Sequence, residues 1–250
     1  MNKEETMLQK RLIELSQITY RRDIVTFSDF LNLNELHILH STPKNLLSSR
    51  YETFGGYEYA ERQMVAFLPD ALYYEYEYPI CVLCITPINI KYAEDLTHRD
   101  YLGAILNLGI ERCRIGDLAV QGQNCFVFCQ ENMANYITEQ LTRIRHTVVT
   151  VVQLKLNNFS YKPDLKETTG TVASVRLDAV PAIAFPISRS KLVNHIEGGK
   201  VFVNGKLITN NGYRLKENDI ISVRGMGRII YGGILSETRK GRYLVKIYKY

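Results

Sequence analysis

Hydrophobic positions along this chain of 250 residues alternate between helical and strand spacing, and the changes of period mark out its elements. Over residues 4–20, Leu8, Leu12, Leu15 and Thr19 fall near one face of an amphipathic helix. Thr26 to Leu47 holds further short helical patterns, interrupted at Ser41-Thr42-Pro43. After Gly55-Gly56, the run YEYAERQMVAFLPD reads as a short helix leading into a strand. Residues 1–75 are therefore expected to form an N-terminal helical region.

The middle of the chain is patterned more sharply. Tyr78 to Thr86 predicts a strand. Thr97 then fits a helix N-cap, with Asp100 in the first turn, where negative charge suits the helix dipole. Tyr101, Leu102, Ile105 and Leu106 make an apolar stripe and Gly109 a stop. Arg114 to Val120 and Asn124 to Cys129 predict two strands joined at Gln121-Gly122-Gln123, followed by a helix over Glu131 to Arg143 and a β-branched strand over Thr147 to Leu154. The order β-α-β-β-α-β predicts a ferredoxin-like domain over residues 76–156. Phe126 and Phe128 share one face of their strand. Packing under the two helices is the expected use of the pair, and base stacking the alternative.

The polar run NNFSYKPDLKETTG over residues 157–170 predicts a linker. Beyond it, over residues 171–250, come two short helical patterns and several strands. Ser188 is placed to cap a helix over Arg189 to Glu197, ended by Gly198-Gly199. Asn204-Gly205 is a strong hairpin turn, and Arg228–Leu235 with Arg242–Tyr248 predicts a terminal hairpin. The whole is an α+β fold.

Charge divides the chain where pattern does. Residues 171–250 carry 14 Lys+Arg against 5 Asp+Glu, whereas residues 1–170 carry 17 against 21. A net excess of nine positive charges on one part calls for a polyanion, and nucleic acid is the expected one. The N-terminus MNKEETMLQKRL is too charged for a signal peptide, and the apolar stretch Ile80 to Ile85 is too short to span a bilayer. Five cysteines, an odd number, suit reduced thiols in a cytoplasm, and neither membrane nor small-molecule cofactor is expected. Cys81 and Cys84 form a C-x-x-C on a strand, where residues three apart point to opposite faces, so both are expected in the core rather than on a metal.

The best phosphate site is the start of the helix at Arg189. Free backbone N–H groups and the dipole meet Ser188, Arg189, Ser190 and Lys191 there. Lys200, Asn204, Lys206, Arg224 and Arg228 extend the basic surface along the strands and turns. His98 and Arg99, near Arg112 and Arg114, make a possible second contact.

Residues 174–225 resemble the S-four-type, or alpha-L, RNA-binding domain. The resemblance rests on RLD at Arg176–Asp178, SRSK at Ser188–Lys191, GGKVFVNGK at Gly198–Lys206 and NDIISVRG at Asn218–Gly225. It implies that structured RNA is bound through Arg176, Arg189, Ser190, Lys191, Lys200, Asn204 and Lys206. Pro181 departs from the pattern, because proline within a first helix removes a backbone hydrogen bond and predicts a kinked or shortened helix. Upstream, FGGYEYAERQMVAFLPD (Phe54–Asp70), HRDYLGAILNLGIERCRIGDLAV (His98–Val120) and LTRIRHTVVTV (Leu141–Val151) resemble the bacterial YlmH family. That resemblance implies a cytoplasmic, ribosome-associated protein that binds ribosomal RNA or tRNA, linked to the rescue of stalled large subunits carrying peptidyl-tRNA. The family's genes sit among cell-division genes, which leaves a division scaffold as an alternative.

Enzymatic readings are weaker. Arg176-Leu177-Asp178 mimics the tripeptide that carries the catalytic aspartate of pseudouridine synthases, but those enzymes carry it in a separate domain. Asp178 is expected to start a helix and pair with a nearby donor. His98-Arg99-Asp100 imitates a kinase loop without its asparagine, since Ile105 stands there, and no nucleotide-binding glycine loop occurs.

Overall fold

The computed structural model describes residues 3–156, 159, 161 and 165–250, which fall into two compact units, Met1–Tyr161 and Lys162–Tyr250. The α+β class holds throughout.

The first unit opens with α1 (Lys3–Arg22), whose Leu12, Leu15, Ser16 and Thr19 are buried. The strand β1 (Thr26–Phe27) and helix α2 (Leu33–Ser41) follow, with Asn32 forming a capping box with Glu35. Strands β2 (Arg50–Phe54) and β3 (Met64–Leu68) then complete a three-stranded antiparallel sheet in the order β1-β3-β2. The N-terminal region is thus not helical alone, and the run after Gly55-Gly56 makes a loop where a short helix was expected. The loop is fixed by non-local contacts. Asp117 accepts hydrogen bonds from the Tyr57 hydroxyl (2.9 Å), the Glu61 N–H (2.7 Å) and the Arg62 N–H (3.1 Å).

The split pattern is realised as expected. Strand β4 (Ile80–Pro87), helix α3 (His98–Leu106), strands β5 (Ile115–Gln121) and β6 (Asn124–Gln130), helix α4 (Glu131–Gln140), the short β7 (Arg143–Ile144) and β8 (Thr147–Leu154) give the sheet β5-β6-β4-β8-β7. Its four long strands follow the ferredoxin-like order, antiparallel at each junction. Helix α4 stops three residues early, and Arg143 pairs with Val148. Helix α3 begins with the Thr97–Asp100 capping box, and Asp100 also pairs with Arg145 at 2.7 Å.

The helices cover one face through Leu83, Ile85, Tyr101, Ile105, Val127 and Ile137. Phe126 and Phe128 lie on the other face, which corrects their expected place under the helices. Phe128 is fully buried with Phe30, Met64, Ile80 and Val82, stacked on Tyr57 at 4.9 Å, while Phe159 lies against both phenylalanines. The N-terminal segments therefore occupy the part of the sheet where stacked bases would have to sit. Cys81 and Cys84 point to opposite faces: Cys81 joins the helix-side core, its sulfur 3.4 Å from that of Cys129, and Cys84 does not.

In the second unit, strand β9 (Lys166–Val172) is followed by α5 (Pro181–Ala184), α6 (Arg189–Glu197), β10 (Val201–Val203), β11 (Lys206–Leu207), β12 (Ile220–Val223), β13 (Gly227–Glu237) and β14 (Tyr243–Lys249). They build the sheet β11-β10-β12-β13-β14-β9. Two expectations change here. The hairpin β13–β14 lies within a continuous sheet, between β12 and β9. Residues 166–170, expected in the linker, pair with β14 from Lys166↔Lys249 to Gly170↔Val245; residues 157, 158, 160 and 162–164 of that linker lie outside the described residues. Pro181 takes the first position of α5, where its missing N–H has no helical partner to lose, so the helix is short rather than kinked. Val180, Phe185, Leu192 and Ile196 pack from the helical side onto Val203, Ile221, Val223, Ile229, Val245 and Ile247.

Candidate nucleic-acid interface

The head of α6 forms as its sequence dictates. Ser188 has extended backbone (φ −69°, ψ 152°), its hydroxyl accepts from the Lys191 N–H at 3.4 Å, and the Ser188 and Ser190 hydroxyl oxygens are 3.0 Å apart. The helix ends on Gly198, with Gly199 at φ +67° in the left-handed region where a side chain would be strained. That turn delivers Lys200, which is exposed, as is Lys191.

Two of the expected contact residues share a buried carboxylate. Asp178 receives Arg189 through Nη2 at 2.6 Å and Nε at 3.2 Å, and Arg176 through Nη2 at 3.4 Å. The Asp178 side chain is 6% exposed, whereas those of Arg176 and Arg189 are 40% and 56% exposed. One negative charge thus orients two guanidinium groups beside the helix head and leaves that trio with one net positive charge. The backbone of this turn is itself anchored, Leu177 donating to the Tyr213 carbonyl and Asp178 to that of Asn211. A bridge between Arg176 and Arg214 brings exposed Arg214 to the same place. Arg214 was missed from sequence because only the non-local pairing puts it there.

The remaining candidates separate by use. Asn204 and Gly205 both have positive φ (+49° and +75°), the signature of a tight hairpin turn. The Asn204 amide donates to Asp219 at 2.8 Å and its carbonyl accepts from the Ile220 N–H at 2.9 Å, so the side chain holds the turn together. Lys206 leaves that turn exposed. Arg224 is exposed, its N–H bonded to the Lys200 carbonyl at 2.9 Å and its guanidinium 5.6 Å from the Phe202 ring. Arg228 lies 4.4 Å from the Tyr250 ring.

In the first unit the possible second contact divides: His98 and Arg99 are exposed, whereas Arg112 and Arg114 are half-buried and bonded within the unit. Arg112 donates to the Ile115 and Gly116 carbonyls, and burial followed by the Arg62 guanidinium pushes its pKa down to about 10. Arg114 reaches Asp29 at 3.1 Å and Gln130 at 2.7 Å, and Gln130 in turn donates to Asp29 at 2.6 Å. Desolvation and the Arg112 charge hold the His98 imidazole below its usual range. Arg99 is exposed. Among the described residues no cluster of His, Cys, Asp and Glu could hold a metal ion, and no helix is long and apolar enough to cross a membrane.

Residues 75–158 match the family model described as "Putative RNA-binding domain in YlmH", and residues 175–221 match the S4 domain. A curated relative, the ribosome-associated protein quality control protein P2 of Bacillus subtilis (strain 168), is 27% identical over 250 residues, covering 97% of this chain and 94% of its own. Among solved structures, the cell division protein ylmH from Streptococcus pneumoniae shares the fold with a TM-score of 0.51 at 20% identity, covering 63% of this chain and 94% of that one.

Proposed function

Starting from a chain that joins a YlmH-type RNA-binding domain to an S4 domain, we propose that it is a structured-RNA-binding protein of ribosome-associated quality control. Its target would be the large subunit carrying peptidyl-tRNA, in the cytoplasm, and its mechanism docking rather than catalysis. The observation that carries the reading is the head of α6. A capped helix N-terminus, two serine hydroxyls, the Lys191 ammonium and an oriented Arg176–Arg189 pair converge there. Backbone N–H groups, hydroxyls and cations in that arrangement suit phosphate oxygens. Lys200 and Lys206 widen the footprint. Asp178, the residue a pseudouridine-synthase-like activity would need, is held between two guanidinium groups and is 6% exposed, which favours an orienting role.

The test is co-sedimentation with ribosomal subunits. The protein is expected with large subunits, more so when peptidyl-tRNA is retained, and release should be steep with added salt. Arg189→Glu with Lys191→Glu should abolish the association. A variant of that kind that still sediments with large subunits would overturn the reading.

A further inference from the structure

The sheet of the second unit has two faces, and α5 and α6 pack on one of them. On the other, three cations lie against three aromatic rings: Arg224 against Phe202 at 5.6 Å, Arg228 against Tyr250 at 4.4 Å, and Lys246 against Tyr248 at 5.3 Å. Phe202 is itself buried, so the rings that a base could reach are the half-buried Tyr248 and Tyr250. Strand register puts them together. Phe202 pairs with Ser222 and Ser222 with Arg228, while Ile230 pairs with Tyr248, and Lys246 stands two residues before Tyr248 on the same strand face. Tyr248 lies across Gly232, where an added Cβ would meet its ring at 2.8 Å, so the ring is seated against a bare backbone.

We propose that this outer face is a second RNA-contact surface, selective for unpaired nucleotides and separate from the grip at the head of α6. The inference rests on the RNA-binding reading and adds to it a second site with a different substrate preference. A cation held against a ring is oriented and partly desolvated, so little ordering is left to do when a phosphate arrives. Tyrosine rings and guanidinium planes are the surfaces on which splayed bases stack. A duplex keeps its bases stacked inside and offers such a surface only phosphates. The charge complements RNA: the unit carries the chain's positive excess, and Arg224 is exposed. The ammonium form of Lys246 is strengthened first by its hydrogen bond with Tyr248 and then by Glu167, paired with Tyr248 at the sheet edge, and Glu217; these carboxylates leave the Arg224 end the more strongly positive.

The experiment uses the full chain and two probes, oligouridine of about twelve nucleotides and a blunt RNA duplex of about 16 base pairs. Arg224→Gln with Lys246→Gln should weaken oligouridine binding about tenfold and duplex binding less than about twofold. Arg189→Glu with Lys191→Glu should do the reverse. Tyr248→Leu keeps bulk and removes the ring; it should weaken oligouridine binding at an unchanged salt slope, whereas Arg224→Gln should lower the slope by about one. Matching thermal midpoints establish that each variant is folded. Oligouridine binding that survives the outer-face substitutions, or two probes that fall together in both variants, would overturn the proposal. A wild-type protein that binds duplex but not oligouridine sinks this inference alone; one that binds neither removes the RNA-binding reading with it.

Discussion

Asp178 illustrates how one buried carboxylate sets the geometry of a basic site. Replacing it with Asn leaves the shape but removes the charge to which Arg176 and Arg189 are bonded. Charge-assisted hydrogen bonds of this kind contribute about 1.5–3 kcal/mol each, less where the partners are half exposed. Asp178→Asn should therefore destabilise the second unit by about 1–3 kcal/mol in denaturant unfolding and lower RNA affinity in proportion to the lost orientation. A catalytic aspartate would behave differently: stability would hold while a modified base disappeared from the target RNA. Gly56 makes a second residue-scale case. Its φ is +98°, and a Cβ there would come within 2.4 Å of the Phe128 ring. Gly56→Ala should cost about 2–4 kcal/mol, measured as a lowered unfolding midpoint of the first unit. The Ser188 cap was legible because capping is a local rule. The seating of Gly56 was not, since Phe128 lies 72 residues away in the chain.

Among elements, those with strong internal signals were legible and those defined by a distant partner were not. The βαββαβ order could be read because β4, α3, the β5–β6 hairpin and β8 each carry their own period, cap or turn. The three-stranded N-terminal sheet escaped because β1 is two residues long and has no periodicity to detect. Strand β9, KETTGTV, reads as polar linker because only alternate residues face the core and the strand is defined by its pairing with β14. The β10–β11 turn offers a test at this scale. Asn204 adopts φ +49° and closes two hydrogen bonds to Asp219 and Ile220. Asn204→Ala should cost about 1–3 kcal/mol of stability, with RNA affinity at a temperature well below unfolding changed little. An affinity loss at unchanged stability would instead make Asn204 a direct RNA contact.

At the scale of the whole molecule, charge and compactness divide the chain at nearly the same place. Residues 171–250 carry the positive excess, and the second compact unit begins at Lys162. The front of the molecule was not legible in the sequence, because nothing local says that Phe54, Tyr57, Met64, Leu156 and Phe159 will lie on the split sheet. Phe128 is buried there and Arg112 and Arg114 are bonded within the unit, so these three residues have little to offer a phosphate backbone, although residues 75–158 match a putative RNA-binding domain. Binding of duplex RNA should therefore reside in the second unit. Expressed separately, residues 162–250 should retain duplex affinity within about threefold of the full chain, and residues 1–161 should bind at least about a hundredfold more weakly. The exposed cations at and beside the α6 grip would engage about four to six phosphates, so the logarithm of the association constant should fall with the logarithm of salt at a slope of about −3 to −5 in both the full chain and the second unit. A markedly steeper slope for the full chain would mean that the first unit contributes phosphate contacts of its own, and Arg99, exposed at the start of α3, would be the first side chain to substitute.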